Sequence, residues 1–433
     1  MKVKVSEIAV LNANLKKYRG LFSTIKYLDT GSVEQGKIYG FQEFDLSCDK
    51  IPSRAQRAVK DKTIVISSVR PNQLHYAILN KPDDNLVVSS GFVTVDAIPE
   101  CVDAQFLYYA LTSEQATKYL DSIASTAVSS YPSFNPEDLG NYVLDIPNSI
   151  DEQKKIANVF ASIDERIENN SAICSDLEAM AKLLYDYWFV QFDFPDENGN
   201  PYKSSGGKMV WSEELNREIP AGWQVNTLSA CVAKSKNGDW GNASPKKPND
   251  IEVRCFRGAD FPSITNEYRV TAPIRYISAS RADRLLSAGD LIVEISGGSP
   301  VQSTGRIGYV NPKFLERNGN AMDCSNFCKA FTPMNRNYQF WLYQTWQLLY
   351  DAGVMFNYES KTTGIKNLMF DEFVNWTNVV VPSDDLLNRY QDICDDLYGK
   401  IQESFIESAE LASLRDFLLP MLMNGQVQVG DVS

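Results

Sequence analysis

The amino-acid sequence repeats itself after about 234 residues, and this repeat constrains the fold more than any other feature. In each copy, apolar or small residues recur at alternating steps of four and three. Such spacing is typical of a long helix that packs along a heptad seam. The first seam comprises Ile156, Phe160, Ile163, Ile167, Cys174, Leu177, Ala181, Leu184 and Trp188. The second comprises Tyr390, Cys394, Leu397, Ile401, Ser404, Ser408, Leu411, Arg415, Leu418 and Leu422.

One polar position interrupts both seams at the same place, because Asn170 of the first corresponds to Ser404 of the second. A buried polar residue in such a seam usually specifies the register of the helix pair. Each helix also follows a proline, Pro147 or Pro382, and Arg415 makes the second seam less apolar than the first.

The segments that precede the two helices are repeated as well. Residues 63–68 resemble 291–296, residues 92–111 resemble 327–345, and residues 142–147 resemble 377–382. The chain therefore contains two copies of one unit, a mixed α/β domain followed by a proline and a long helix. We predict an α+β fold with two mixed α/β domains, separated by two long antiparallel, coiled-coil-like helices and related by a pseudo-two-fold. The predicted boundaries are 1–148 and 223–382 for the domains, 149–191 and 383–425 for the helices, 192–222 for a linker rich in Gly, Pro, Asn and Ser, and 426–433 for a tail.

Residue usage excludes several classes of protein. No apolar run reaches the roughly 18 residues of a membrane span, and the N-terminus lacks the pattern of a secretory signal. The eight cysteines have no framework spacing, which indicates reduced thiols and a cytoplasmic protein. His75 is the only histidine, which excludes histidine-built metal sites. We expect no cofactor and no metal.

The net charge of −13 argues at first against a nucleic-acid partner. Counted by region, however, residues 147–222 and 383–433 together carry −14, whereas 1–146 and 223–382 together carry +1. The acidity therefore belongs to the helices and the linker, and the two domains are close to neutral.

Several short motifs, taken in order, resemble those of the specificity subunits of type I restriction–modification enzymes. Each motif alone is weakly specific, but together they extend over almost the whole chain. They are IDEQKKI (150–156), IDERI (163–167), LLYDYWFVQFDF (183–194), PYKSSGGK (201–208), EIPAGW (218–223), GDLIV (289–293) and TGIKNL (363–368). The first domain departs from the family pattern, because it opens with VSEIAV (5–10) where the second has a Trp223–Leu228 pair.

This resemblance implies a subunit that is not an enzyme and that reads double-stranded DNA. It implies two target-recognition domains, one for each half of a bipartite site, and two helices that set the spacer between the halves. It further implies two modification subunits as partners, which carry S-adenosylmethionine and methylate adenine. The sequence leaves open whether ATP-dependent restriction subunits also assemble with it, and it predicts no membrane partner.

Polar and basic loops of the two domains are the candidate contacts to DNA. Small residues let the backbone approach phosphates, while arginine, asparagine and glutamine side chains pair with base edges. In the first domain the candidates are Arg54, Arg57, Ser68, Arg70, Asn72 and Gln73. In the second domain they are Arg257, Arg275, Ser296, Gly297, Gly298, Ser299, Gln302, Thr304, Arg306, Lys361, Thr362, Thr363, Lys366 and Asn367.

Two other functions compete with DNA reading. A two-headed adaptor for protein or glycan would fit the acidic composition. A lone DNA-modifying enzyme would need motifs that the chain lacks, such as the amine-binding loop of amino-methyltransferases or a Walker A loop. A nuclease can be read into Asp145, Glu152 and Lys154, but Ser149 and Glu152 fit a helix capping box better. The aromatic residues 185–194 are similarly more typical of packing than of a base-stacking platform.

Overall fold

The computed structural model of this chain describes residues 1–13, 21–126, 132–299, 301–362, 364–423, 425–427 and 429–430, without the side chains of 361 and 362. The chain divides into two compact units. The first unit is formed by Met1–Glu165 and Leu411–Ser433, and the second by Arg166–Glu410. Both long helices contribute residues to each unit.

The two predicted long helices are present. The first long helix spans Ile150–Tyr185 and continues as a π-helical turn over Asp186–Val190, and the second spans Asp384–Met423. At 1.5 Å per residue they are about 54 and 60 Å long. The N–H of Glu152 donates to the Ser149 hydroxyl at 3.4 Å, which confirms that Ser149 caps the first helix.

The first unit is built on two four-stranded sheets. Strands Ile64–Ser67 and Phe92–Ala97 lie in the middle of one sheet and are almost wholly buried, as expected for runs of β-branched and aromatic residues. The strand order of that sheet is Ala9–Leu11, Phe92–Ala97, Ile64–Ser67, Tyr76–Ile78, and that of the other is Gln42–Asp45, Thr24–Leu28, Leu86–Ser89, Ala55–Ala58. Two-stranded pairs are Lys2–Lys4 with Val143–Asp145 and Val33–Glu34 with Lys37–Ile38.

Helices cover the first sheet and complete the core of the first unit. Phe106 and Leu107 pack on Val95 of the sheet, and Ile156 and Phe160 of the first long helix belong to the same cluster. The helices are Val5–Ile8, Ala104–Thr112, Glu114–Thr126 and Pro136–Gly140.

The second unit repeats the four-stranded sheet that contains the central strand Ile64–Ser67 of the first unit. Its four-stranded sheet has the order Val232–Asn237, Cys328–Pro333, Leu291–Glu294, Ile307–Tyr309, so that Leu291–Glu294 takes the place of Ile64–Ser67. Its three-stranded sheets are Ile274–Ile277, Ile251–Phe256, Met322–Cys324 and Ser296–Gly297, Ile365–Leu368, Glu359–Thr362. Its strand pairs are Met209–Ser212 with Arg217–Pro220 and Gln224–Thr227 with Asn378–Val381; its shorter helices are Pro262–Thr265, Pro312–Arg317, Gln339–Asp351 and Phe370–Trp376.

Within the second unit the two long helices run antiparallel. The Cys174 thiol donates to the carbonyl of Ile401, and the Tyr390 hydroxyl donates to the carbonyl of Ala181 at 3.2 Å. Between these contacts and the unit boundary lies Asn170, whose amide donates to the carbonyl of Ser404. The two polar positions that the repeat relates are therefore the ones that meet.

The second long helix buries a wider face than the predicted seam. Tyr398 and Phe405 are fully buried, although neither belongs to the predicted line. Tyr398 contacts Phe340 and Tyr343 of the helix Gln339–Asp351, with ring centroids 4.5 and 6.0 Å apart. The second long helix therefore packs on the helix Gln339–Asp351 as well as on the first long helix. Its buried residues occupy more positions than one heptad seam includes.

Arg415, the charged residue of the second seam, has a partner within the first unit. Its Nη1 donates to Oδ1 of Asp164 at 2.7 Å, and the Tyr109 hydroxyl donates to the other oxygen of that carboxylate at 2.8 Å. The arginine is therefore accommodated in the seam by a charge-assisted bond.

Candidate nucleic-acid interface

The predicted loop that carries Ser68, Arg70, Asn72 and Gln73 lies beside residues 132–134 in the structure. The N–H of Arg70 donates to the carbonyl of Pro132 at 2.9 Å, and the N–H of Phe134 donates to the carbonyl of Ser68 at 3.0 Å. Residues 68–74 and 132–134 are named here the first paired loops. The Ser68 hydroxyl donates to the carbonyl of Gly91, which anchors this end of the loop to the sheet.

The backbone of the first paired loops adopts an uncommon conformation. Arg70 and Leu74 have φ angles of 48° and 58°, on either side of the short turn Pro71–Gln73. A left-handed conformation at a residue other than glycine costs about 1 kcal/mol or more, and such residues concentrate at functional sites. Arg70, Asn72 and Gln73 are exposed at this turn. The turn therefore directs three polar side chains towards solvent.

The other candidates of the first domain lie elsewhere in the first unit. Arg57 belongs to the edge strand Ala55–Ala58, and its Nε is buried without an acceptor among the described residues. Burial lowers the pKa of its guanidinium. Arg54, just before that strand, is exposed. The ring of His75 contacts the carbonyl of Val33, so this histidine has a structural role within the first unit.

The second unit brings its two predicted loops together in the corresponding way. Ser296–Gly297 pairs with Ile365–Leu368, so that Ser296 lies opposite Asn367 and Gly297 opposite Lys366. The Ser296 hydroxyl donates to Oδ1 of Asn367 at 2.6 Å. Residues 296–299, 301–302, 359–362 and 364–367 are named here the second paired loops. In both units, one loop follows the central strand and the other precedes the final segment before the long helix.

Glu359 is the carboxylate that joins the second paired loops. Its Oε1 accepts hydrogen bonds from the N–H and the hydroxyl of Thr304 at 2.7 and 3.2 Å. Its Oε2 lies 3.3 Å from Nζ of Lys366, which also donates to the carbonyl of Gln302 at 3.0 Å. The side chains of Glu359 and Lys366 are only 2% and 11% exposed. Thr304 and Lys366 therefore hold the loops in place.

Two candidate arginines are also engaged within the second unit. Nε and Nη2 of Arg306 donate to the carboxylate of Glu294 at 2.8 and 2.9 Å, and Nη2 also donates to the carbonyl of Gly258. Arg257 makes a similar two-point contact with Asp260, at 2.9 Å for both bonds. The bond to the acidic partner raises the pKa of each guanidinium. Both guanidinium groups are therefore bonded to partners within the second unit.

The remaining candidates of the second domain are more accessible. Gly298 and Gln302 are exposed, and a Cβ added at Gly298 would meet no atom closer than 4.0 Å. The Ser299 hydroxyl accepts a bond from the N–H of Gln302 at 3.1 Å. Arg275 lies outside the paired loops, on the strand Ile274–Ile277. Thr363 and the side chains of Lys361 and Thr362 lie outside the described residues.

The aromatic residues at the end of the first long helix pack in the interior of the second unit. Tyr185, Trp188 and Phe189 are buried around Tyr390, with ring centroids 5.0–6.3 Å from it. This confirms packing and leaves no base-stacking platform at these three rings.

The same helix carries a second apolar stripe that faces solvent. Its residues recur at steps of seven, three, four and three, and Leu183 is 68% exposed. The stripe comprises Ile173, Met180, Leu183, Tyr187 and Val190. A soluble chain rarely exposes a continuous apolar stripe unless a partner covers it. The heptad spacing of these residues is present in the sequence, but it runs beside the more apolar buried seam, and only the seam was predicted.

Comparison with known proteins gives a consistent result. A family model described as the type I restriction modification DNA specificity domain matches residues 23–179. The chain is 23% identical to the specificity subunit of the type I restriction enzyme HindI of Haemophilus influenzae, over 94% of this chain and 95% of that protein. It is 26% identical to the specificity subunit of the type I restriction enzyme MjaIX of Methanocaldococcus jannaschii, over 86% and 78% of the two chains.

A solved structure shares the fold along the whole chain. The type I restriction–modification S subunit from M. genitalium superposes with a TM-score of 0.53 at 17% identity, covering 100% of this chain and 96% of that one. No helix in the described part of the chain is long and apolar enough to cross a bilayer.

Proposed function

We propose that this chain, which belongs to the specificity subunits of type I restriction–modification enzymes, reads a bipartite DNA sequence through its two paired-loop surfaces. It is a DNA-recognition subunit without a catalytic function of its own, and the catalytic sites lie in partner subunits. Residues 1–148 and 223–382 are the two target-recognition domains in this proposal, one for each half of the site.

The observation that carries the proposal is the repeated pairing of two polar loops at equivalent places in the two units. In the first unit, the exposed side chains at this position are Arg70, Asn72 and Gln73. Arginine forms two parallel bonds with guanine, and asparagine or glutamine does so with adenine. In the second unit, Gly298 and Gln302 are exposed on the corresponding loops. Because the two sets differ, the two half-sites are expected to differ in sequence.

The long helices set the distance between the half-sites in this proposal and carry the modification subunits, which bind S-adenosylmethionine. The exposed stripe of Ile173, Met180, Leu183, Tyr187 and Val190 supports a protein partner on the first long helix. The acidic charge of residues 147–191 and 383–433 makes the same helices poor surfaces for phosphates.

The test of the main proposal is to co-express the chain with its modification subunit and to sequence methylated adenines in the host DNA. A bipartite, asymmetric methylated motif that disappears on deletion of this chain is the expected result. A functional modification subunit that methylates the same sequence without this chain would refute the proposal.

The docking stripe has its own test. Leu183→Glu should abolish co-purification of the modification subunit, because it places a carboxylate in the middle of an apolar contact. Ser175→Glu is the matched control, since Ser175 is exposed on the same helix but lies outside the stripe, about 80° from Leu183 around the helix axis. Equal recovery of the partner with both variants would contradict docking at the stripe.

A further inference from the structure

We infer that Arg275, positioned by Trp240, reads a guanine in the half-site that residues 223–382 recognise. The inference rests on the proposed function and adds a residue pair outside the paired loops. Trp240 lies in the loop between Val232–Asn237 and Ile251–Phe256, and Arg275 lies on the neighbouring strand Ile274–Ile277.

The loop that carries Trp240 is fixed on both sides. A Cβ at Gly238 would lie 2.1 Å from the carbonyl oxygen of Ser325, so the two backbone segments approach each other closely and only glycine fits at position 238. The N–H of Asp239 donates to the carbonyl of Cys324 at 2.7 Å. Asn242 exchanges two backbone bonds with Tyr276, at 2.9 and 3.0 Å. The backbone of Trp240 is consequently held between residues that are hydrogen-bonded on both sides of it.

Trp240 in turn fixes the guanidinium of Arg275. The carbon of the guanidinium lies 4.4 Å from the centroid of the indole ring, and Nε donates to the carbonyl of Trp240 at 3.1 Å. The two terminal nitrogens have no acceptor among the described residues. Trp240 itself is 37% exposed. Stacking on the indole and the bond at Nε fix the plane of the guanidinium. Its two Nη groups then point outwards together, in the geometry that pairs with O6 and N7 of a guanine.

Three arginines of the same domain differ from Arg275 in one respect. Arg257, Arg281 and Arg306 each form an ion pair with a carboxylate, on Asp260, Asp239 and Glu294 respectively. Arg275 forms no ion pair with a carboxylate of the described chain. Its charge and its terminal donors are therefore available to a ligand.

The surroundings of the pair favour DNA over an acidic or neutral peptide. Residues 234–284 contain ten Lys and Arg and six Asp and Glu, although the whole chain has a net charge of −13. Lys246 and Lys247 are exposed in the same loop, whose turn is stabilised by bonds from their N–H groups to Asp250. Exposed lysines beside a pre-positioned arginine are suited to phosphates beside a base.

The experiment measures the methylated motif in host DNA for the full-length chain with its modification subunit. The variants are Arg275→Lys, Trp240→Ala and Trp240→Phe. Arg275→Lys keeps the charge but not the two parallel donors, so preference for guanine at one position should fall about 5- to 100-fold. Trp240→Ala should relax the same position, and Trp240→Phe should restore it, because an aromatic face is kept. The matched control is Arg217→Lys, which changes another guanidinium over a ring, 4.7 Å from the centroid of Phe192.

The outcomes separate the inference from the proposed function. Relaxation of one guanine position, with the other half-site unchanged, supports the inference. A uniform loss of methylation over all sites would indicate a phosphate contact and overturn base reading, as would an unchanged motif in all variants. Absence of any bipartite motif with the unaltered chain would instead refute the proposed function. A purified variant that unfolds at the temperature of the unaltered chain shows that a changed motif is not due to misfolding.

Discussion

Glu359 offers a direct way to separate the rigidity of the second paired loops from their chemistry. Replacing it with glutamine preserves its shape but removes the charge that Lys366 and Thr304 contact. Hydrogen bonds to a charged group contribute about 1.5–3 kcal/mol each, and a buried charge left without its partner costs about 3–5 kcal/mol. Since Lys366 is 11% exposed and can turn partly towards water, we expect Glu359→Gln to lower the free energy of unfolding of the second unit by about 2–4 kcal/mol.

The assay is chemical denaturation combined with the methylation motif. If the loops are positioned by Glu359, the variant should also lose preference in the second half-site and keep the first half-site unchanged. Glu359→Gln combined with Lys366→Met should cost clearly less than the sum of the two single changes, because no unpaired charge remains. Additive costs, or a single-variant effect within about 0.5 kcal/mol, would refute the reasoning.

Three further predictions concern the length of the long helices, the Arg415–Asp164 ion pair and one buried carboxyl group. Inserting one heptad in both long helices should lengthen the spacer of the methylated motif by about 3 base pairs, since seven residues add about 10 Å and each base pair spans about 3.4 Å. The spacer is read by sequencing methylated DNA, and an unchanged spacer would contradict the proposal that the helices set the distance between the half-sites. Arg415→Met should lower the free energy of unfolding of the first unit by about 1–2 kcal/mol, and adding Asp164→Asn should recover part of it; denaturant titration measures both. Burial raises the pKa of Asp323 to about 7, so the folded state binds its proton more tightly than the unfolded state. The stability advantage of the unaltered chain over Asp323→Asn should therefore decrease as the pH rises from about 4 to about 7, which chemical denaturation at several pH values measures.

Much of the architecture could be predicted from the repeat, because heptad spacing and buried strands are local patterns. The long helices begin at Ile150 and Asp384, one residue from the predicted starts. The burial of Tyr398 and Phe405 could not be predicted in this way. For Tyr398 it depends on contacts with another helix, Gln339–Asp351, on a second face of the long helix. Those contacts add no heptad pattern to the sequence.

The sequence predicted which loops form the candidate site, but not which of their side chains are exposed and which are bonded inside the protein. Arg306 and Arg275 carry the same functional group, yet Arg306 is bonded to Glu294 on the adjoining strand, whereas Arg275 forms no ion pair with a carboxylate of the described chain. The difference arises from a carboxylate twelve positions away in the chain, which reaches the arginine only when the strands pair. Trp240 was not recognised either, because its contact with Arg275 joins a loop to a strand that lies 35 residues later in the chain.

The bonding within the second paired loops also has an evolutionary consequence. The residues that stabilise the loops, such as Glu359 and Arg306, are different from those exposed at the tips, such as Gly298 and Gln302. Substitutions at exposed positions usually change stability by less than about 0.5 kcal/mol. Under the proposed function, new DNA targets would therefore arise by mutation of the tips alone, in steps that each leave a folded subunit for selection to act on.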